Sequence, residues 1–265
     1  MPRLPLKSIS NMKHILAAFM FFTRLPFWRL ADVEKEYFKN VVNFWPWAGI
    51  ITGGIGAWVM LGAAFFLPPV VAVILGVAAR VLVTGALHED GLADFFDGFG
   101  GGRDKESILR IMKDSHIGSY GVLGLIFYFA LLVAVLSSMP IAIAALLFFC
   151  GDIFCKFISS NMVNLLPYSR KEEESKNKLI YNRMPVAIFV VNLVSAALLL
   201  WGIYTLYIPF AAIYAAAVPC VLFLLLVWYM KRKIQGYTGD CCGASFLLCE
   251  LSFYIAWLAI INVQL

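Results

Sequence analysis

The residues best suited to chemistry lie in one polar segment, positions 88–104, which reads HEDGLADFFDGFGGGRD. If this segment is helical, Asp90, Asp94 and Asp97 are spaced i, i+4 and i+7 and share one face. Three carboxylates on one face repel each other unless a cation neutralises them, and Mg²⁺ prefers carboxylate oxygens together with substrate phosphates. The spacing therefore predicts these aspartates as Mg²⁺ ligands. A solvated acidic loop is the alternative, and the interleaved leucine and phenylalanine residues argue against it.

Glycine and basic residues follow this acidic face. The three glycines at 100–102 are predicted to end the helix and, at Gly101, to let the backbone approach a ligand. Arg103 and Lys105 come next and supply positive charge for phosphate groups. Asp114 and Ser115 add polar groups just before the next apolar stretch. Together these features predict a metal–diphosphate site in which these residues contact substrate.

A second polar cluster, which reads GYTGDCCG, precedes the last apolar stretch. Its Asp240 is predicted either to cap the following helix or to contact metal or substrate. Charged residues also lie inside apolar stretches, where they are costly and usually face protein. Arg80 and Glu250 are expected to line a polar cavity, with Glu250 either pairing with Arg80 or joining Asp240 at the site. Asp152 and Lys156 are four residues apart, so they share a helix face and are suited to pair.

The elements that must position these residues are membrane-spanning helices. Hydrophobic residues make up 62% of the 265-residue chain and charged residues 14%, against about 25% charged in an average soluble domain. A span needs about 20 apolar residues, and the acidic segment is expected to continue the second span as helix. An apolar run that ends before Pro26 predicts a further, N-terminal helix in the membrane interface. The fold class is thus an all-α polytopic transmembrane bundle of about seven spans, predicted at 44–67, 70–87, 119–137, 141–160, 185–203, 209–230 and 243–263.

Basic residues are distributed unevenly about these spans. Nineteen of the 21 lie in segments 1–43, 88–118, 161–184 and 231–242, which alternate with uncharged turns. The positive-inside rule makes these segments and the N-terminus cytoplasmic, and it places the C-terminus on the other side. This asymmetry accounts for the net charge of +5, so nucleic acid is not a predicted partner. Residues 1–265 are predicted to form one integral membrane domain, with the six cysteines as small apolar side chains.

Four stretches of the chain resemble a single family. The acidic segment, together with KDSHIGSYG, GYTGDCCGA and FFTRLP, is similar to the motifs of the cobalamin synthase family, adenosylcobinamide-GDP ribazoletransferase. The resemblance implies that adenosylcobinamide-GDP and α-ribazole, or its 5′-phosphate, give adenosylcobalamin, or its 5′-phosphate, and GMP. This is the last assembly step of vitamin B12 biosynthesis. It also implies Mg²⁺ dependence and a place in the cytoplasmic (inner) membrane of a prokaryote.

The reaction that the resemblance implies gives the polar residues their predicted roles. The three aspartates would bind Mg²⁺, and Arg103 and Lys105 would hold the GMP phosphate. His88 or Glu89 would accept the proton of the attacking hydroxyl group, although His88 is equally suited to anchor the membrane border. The sequence leaves the oligomeric state open.

Two other functions compete with this interpretation. Another membrane phosphotransferase, such as a CDP-alcohol phosphotransferase, also uses several aspartates near a membrane border. That family has Ala-Arg after its first Asp-Gly, whereas here Ala93 is followed by Asp94. A transporter would use the charges within the spans as a coupling path. It would not need the acidic segment, and the two halves of the chain show no internal repeat.

Overall fold

The computed structural model describes residues 6–170, 179–207 and 211–264, and this part of the chain is helical apart from turns and one isolated bridge between Tyr168 and Tyr237. The all-α fold class is therefore confirmed. Two short 3₁₀ helices, Phe27–Arg29 and Val41–Phe44, lie in the N-terminal region. The α-helices, in chain order from α1 to α12, are Leu6–Phe22, Lys35–Phe38, Trp45–Ala63, Pro69–Thr84, Leu87–Gly101, Lys105–Ile111, Ser119–Ser137, Ile141–Ser160, Met162–Leu165, Val186–Tyr207, Ala211–Ile234 and Gly239–Gln264.

Each of the seven predicted spans coincides with a helix, but not every helix is long enough to cross a bilayer by itself. In the described residues five helices reach the necessary length and apolarity, and the bent pair α4–α5 raises the number to six. Helix α4 has only 16 residues, which corresponds to about 24 Å against a hydrocarbon core of about 30 Å. Helix α10 has 22 residues, Val186–Tyr207, which matches the length of about 20 residues that a span needs.

The second predicted span does not continue straight into the acidic segment, so that expectation was wrong. Gly85 (φ 66°) and Ala86 (φ 57°) both adopt the left-handed conformation, and α5 leaves α4 at an angle of 91°. The turn is covered by Arg24, whose backbone N–H donates to the Val83 carbonyl oxygen at 2.7 Å. A Cβ atom on Gly85 would lie 2.2 Å from the Arg24 Nε, so both the conformation and the packing require glycine.

The bundle packs around α12, which contacts α5, α7, α8 and α11, while α3 packs between α4 and α8. Helices α3 and α4 approach closely because glycines face each other. A Cβ atom on Gly76 would lie 2.7 Å from the Gly56 carbonyl oxygen, and such small-residue contacts are typical of helix pairs in membranes. The six cysteines are free, and five are buried, as predicted.

The predicted N-terminal helix is present as α1, and it packs against α2, α3 and the second 3₁₀ helix. Ala17 and Ala18 are fully buried in this contact. The chain leaves the helix at Thr23, whose hydroxyl donates to the Phe19 carbonyl oxygen at 2.7 Å. The position of α1 in the membrane interface stays a prediction.

Candidate active site

A cavity of ≈170 Å³ opens where the first turns of α5 and α12 meet α1, α3 and the segment after α9. Three of the predicted site residues, His88, Asp90 and Asp240, border it. The remaining lining residues are Phe21, Phe22, Val42, Trp45, Leu87, Tyr168, Arg170, Leu179, Tyr181, Gly239, Cys242 and Gly243.

Asp90 and Asp240 reach the same cavity because two glycines let α5 and α12 pack closely. A Cβ atom on Gly91 would lie 3.0 Å from the Asp240 backbone, and one on Gly243 would lie 3.3 Å from the His88 Cα. Helix α12 begins at Gly239, four residues before the predicted boundary. Asp90 and Asp240, which are 150 positions apart in the sequence, are thereby joined in one site.

Asp240 lies in the first turn of α12, one residue beyond its start. The capping contact instead comes from Thr238, whose hydroxyl oxygen accepts the Cys241 N–H at 3.4 Å. Asp240 therefore does not cap α12. It borders the cavity, and this position is required by the other prediction, in which Asp240 contacts metal or substrate.

One wall of the cavity is aromatic, and sequence reasoning missed it. The Trp45 ring stacks on the Phe22 ring at 5.1 Å and on the His88 ring at 5.4 Å between centroids. The FFTRLP stretch was the one signal that pointed to Phe22. Trp45 and His88 are 1% and 3% exposed, and among the described residues neither the Trp45 Nε1 nor the His88 Nε2 has a hydrogen-bond partner.

Tyr168 and Arg170 complete the cavity on the side of the segment after α9. Arg170 is buried, and its Nη2 donates to the Leu109 carbonyl oxygen at 2.8 Å. Burial raises the pKa of Tyr168 to about 12, so its hydroxyl stays protonated at neutral pH. The structure thus adds one buried cation, Arg170, to the predicted site residues Asp90 and Asp240.

Asp97 has a different environment from Asp90. Its two carboxylate oxygens accept the backbone N–H groups of Gly118 at 2.7 Å and of Gly121 at 2.8 Å. These groups stand at the start of α7, so Asp97 caps that helix from outside. The metal-ligand role predicted for Asp97 stays a prediction.

The predicted three-aspartate face does not converge on one point. Asp94 is half-buried and lies one helical turn beyond Asp90. The neighbouring Glu89 is buried, and its Oε2 has no hydrogen-bond partner among the described residues. Within residues 6–170, 179–207 and 211–264, no group of three or more histidine, cysteine or acidic side chains is placed to hold a metal ion. Asp90 and Asp240 border the same cavity, and carboxylate oxygens are the ligand type that Mg²⁺ prefers together with water and substrate phosphate. Mg²⁺ binding stays a prediction.

The other predicted substrate contacts lie at the opposite end of α5. The helix rises about 17 Å between Asp90 and its last residue, at 1.5 Å per residue. None of the following residues borders the cavity: Gly101, Arg103, Lys105, Asp114 and Ser115.

In the structure Lys105 and Asp114 contact other protein groups. Lys105 Nζ donates to the Gln235 Oε1 at 3.3 Å. Asp114 accepts the backbone N–H of His116, and this bond lowers the pKa of the Asp114 carboxyl. The glycine run ends α5 as predicted, and Gly102 is the first residue after the helix. A Cβ atom on Gly102 would lie 2.7 Å from the Ile108 backbone nitrogen, so glycine there permits the close approach of α6. The ligand contact predicted for Gly101 stays a prediction.

The four charged residues within the spans form one buried group in the centre of the bundle. Arg80 Nη1 lies 2.5 Å from a Glu250 oxygen and 3.6 Å from an Asp152 oxygen. Lys156 pairs with Asp152, as predicted, and donates to the Thr52 hydroxyl oxygen at 2.6 Å. All four side chains are 0–1% exposed. Arg80 and Glu250 thus face the bundle interior and pair with each other, and neither borders the cavity.

Comparisons with known proteins agree with the motifs. The profile of the family described as cobalamin-5-phosphate synthase matches residues 14–258. The adenosylcobinamide-GDP ribazoletransferase of Leptothrix cholodnii is 37% identical over 259 residues, covering 91% of this chain and 93% of that protein. Its counterpart in Shewanella sp. strain W3-18-1 is 33% identical over 249 residues, covering 92% and 93%. No solved structure matches the chain. The chain belongs to the cobalamin-5-phosphate synthase family.

Proposed function

We propose that this protein joins adenosylcobinamide-GDP and α-ribazole, or its 5′-phosphate, to give adenosylcobalamin, or its 5′-phosphate, and GMP. The names of its relatives support this activity. The observation that carries the proposal is the cavity at which His88, Asp90 and Asp240 meet the buried cation of Arg170. The family match over residues 14–258 favours this activity over a CDP-alcohol phosphotransferase or a transporter.

The reaction transfers a phosphoryl group, so positioning and charge neutralisation supply most of the catalysis. A ribose hydroxyl oxygen of the ribazole forms a bond to the cobinamide-side phosphorus. The bond from that phosphorus to the bridging oxygen breaks, and GMP leaves with the electron pair. Bound Mg²⁺ would neutralise the diphosphate and stabilise the charge that develops on the leaving oxygen. Asp90 and Asp240 would hold the ion, with Asp94 as a further candidate.

Two cationic features of the cavity are suited to the phosphate oxygens. Arg170 contributes a guanidinium group that is always charged. The start of α12 at Gly239 also borders the cavity, and the N-terminus of a helix attracts anions through its free N–H groups. Together they would orient the diphosphate with its reacting phosphorus beside Asp90 and Asp240.

His88 is the better candidate for the general base. Its Nε2 is buried, without a partner among the described residues, and the side chain borders the cavity next to Asp90. A neutral imidazole in this position would accept the proton of the attacking hydroxyl. Glu89 is the alternative base, but it does not border the cavity.

The remaining predicted contacts concern parts of the substrate far from the reacting phosphorus. Arg103 and Lys105 follow the distant end of α5, so the GMP phosphate cannot touch them while it shares an ion with Asp90. A role for them requires contact with another portion of the large corrinoid nucleotide. The same holds for Gly101, Asp114 and Ser115.

The membrane setting follows from the helices and from the distribution of charge. Five to six helices can cross a bilayer, and we propose the cytoplasmic (inner) membrane with the N-terminus in the cytoplasm. In this orientation the acidic segment and the cavity face the cytoplasm, where nucleotide substrates are available.

The activity is tested with the full chain reconstituted in lipid vesicles. Adenosylcobinamide-GDP, α-ribazole and Mg²⁺ are supplied, and the corrinoid product and GMP are identified by mass. Asp90→Asn should lower kcat about a thousandfold, equivalent to about 4 kcal/mol of transition-state stabilisation. Asp32→Asn, a change of the same kind at an exposed residue, serves as the control. If Asp90→Asn retains more than about a tenth of the activity at limiting Mg²⁺, Asp90 is not an essential ligand.

A further inference from the structure

We propose that the cavity holds the fused bicyclic aromatic base of a nucleoside substrate, against the wall formed by Phe22, Trp45 and His88. This inference rests on the function proposed above, because both substrates of that reaction carry such a base. One is the benzimidazole of α-ribazole, and the other is the guanine of the GDP group. The shared chemistry is a planar aromatic ring system with an unprotonated ring nitrogen.

The wall is suited to a planar ring because its own rings are parallel. The ring planes of Phe22 and Trp45 differ by 13°, and those of Trp45 and His88 by 25°. Tyr168 and Tyr181 also border the cavity. Contact between a base and an aromatic side chain stabilises binding and does not depend on the identity of the base.

Two buried ring nitrogens of this wall would supply the polar contacts. Indole Nε1–H is only a donor, and imidazole Nε2 donates or accepts according to its tautomer. Both atoms lack a partner among the described residues, although the two side chains are 1% and 3% exposed. Buried polar groups without a partner are rare in native proteins. A base with a free ring nitrogen would accept from the Trp45 Nε1–H and so satisfy it.

The size of the cavity selects the base over the corrinoid. Its volume of ≈170 Å³ is below the about 300–1,000 Å³ of pockets that hold drug-sized ligands. A fused bicycle is small enough for this space, whereas a corrin macrocycle is not. Asp90, Asp240 and Arg170 also border the cavity, so a nucleoside bound by its base would direct its ribose and phosphate toward the proposed reacting groups.

The test measures binding of each probe alone to the full-length protein in lipid nanodiscs. The probes are α-ribazole and GMP, and equilibrium dialysis gives their Kd values without any turnover. Trp45→Phe keeps the stacking ring and removes the donor, so it should weaken binding of one probe about fivefold. Trp45→Leu also removes the ring and should weaken the same probe at least about fivefold further. Trp58→Phe changes a tryptophan on the same helix that is 79% exposed, and it should change neither Kd.

The two probes distinguish the source of the base. A change confined to α-ribazole assigns the cavity to the benzimidazole, and a change confined to GMP assigns it to guanine. The inference is overturned if wild-type protein binds neither probe, if both Kd values are unchanged in Trp45→Phe, or if both rise together with a fall in melting temperature. Wild-type turnover is measured separately. Protein that binds a probe in this way but makes no cobalamin would refute the proposed function and leave the base site standing.

Discussion

Replacing Glu250 with glutamine removes one negative charge from a buried group that holds two positive and two negative side chains. Glu250 accepts from Arg80 Nη1 at 2.5 Å and from the Tyr254 hydroxyl at 2.8 Å. A glutamine oxygen can accept both bonds, so the substitution isolates the effect of charge. The three charged side chains that remain, Arg80, Lys156 and Asp152, then have a net charge of +1. Each of these side chains is 0–1% exposed.

The loss of unfolding free energy in Glu250→Gln depends on the partners that Arg80 retains. Two unit charges about 4 Å apart attract by about 4 kcal/mol at an effective dielectric constant of 20, and removing one partner of a buried pair costs about 3–5 kcal/mol. Arg80 keeps an Asp152 oxygen at 3.6 Å and the Tyr128 hydroxyl at 3.1 Å. The cost of Glu250→Gln should therefore lie at the lower end, about 3 kcal/mol. This corresponds to a fall in Tm of about 6–12 °C for a chain of this size.

The assay is thermal unfolding of Glu250→Gln, Arg80→Gln and the double variant, with turnover measured per folded molecule. Each single variant should be destabilised, and the double variant should lose at least about 2 kcal/mol less than the sum of the two, because the opposite charges leave together. Glu106→Gln, an exposed acid on α6, is the control. Unchanged stability in Glu250→Gln together with lost turnover would refute a structural pair and place Glu250 at the substrate.

Three further results are expected. Asp97→Ala should lower the free energy of unfolding by about 2–3 kcal/mol, because two N–H groups at the start of α7 lose their acceptor. Turnover per folded molecule should persist. Complete loss of turnover in a protein of wild-type Tm would instead support a role for Asp97 as a metal ligand. Gly85→Ala should cost at least about 1–2 kcal/mol from its left-handed backbone in addition to the clash with Arg24, and a wild-type melting curve would contradict the bend. Reporter fusions after Arg103 and Lys233 should report the cytoplasm, and a fusion after the last residue should not; a cytoplasmic C-terminus would contradict the predicted topology.

The sequence predicted the helices well because long charge-free stretches have few alternatives in a membrane. The cost of unpaired charge also predicted that Arg80 faces protein and that Asp152 pairs with Lys156, and the structure confirms both. The bend between α4 and α5 was not predictable in this way. Apolar periodicity carries no information about φ, and Ala86 is not a residue that signals a left-handed conformation.

Part of the site was predicted, and the remainder depends on long-range contacts. Asp90 and Asp240 were singled out from their separate motifs, and the structure brings them to one cavity. Helical spacing placed Asp97 on the same face as Asp90, but it could not reveal that the start of α7 would approach from the side. The aromatic wall was missed because Phe22 and Trp45 come from different helices, and each one alone resembles an ordinary core residue.

The short helix α4 has a consequence for the surrounding lipid. Its 16 residues span about 24 Å, some 6 Å less than an average hydrocarbon core. Lipids next to α4 must compress or tilt, at a cost of fractions of a kcal/mol for each ångström of mismatch. Where α4 crosses the bilayer, the headgroup layer would be drawn inward to the level of Gly85, where α5 turns aside. A depression of this kind would let a water-soluble nucleotide reach His88 without leaving the aqueous phase, and it would make acyl chain length a physical variable of the reaction.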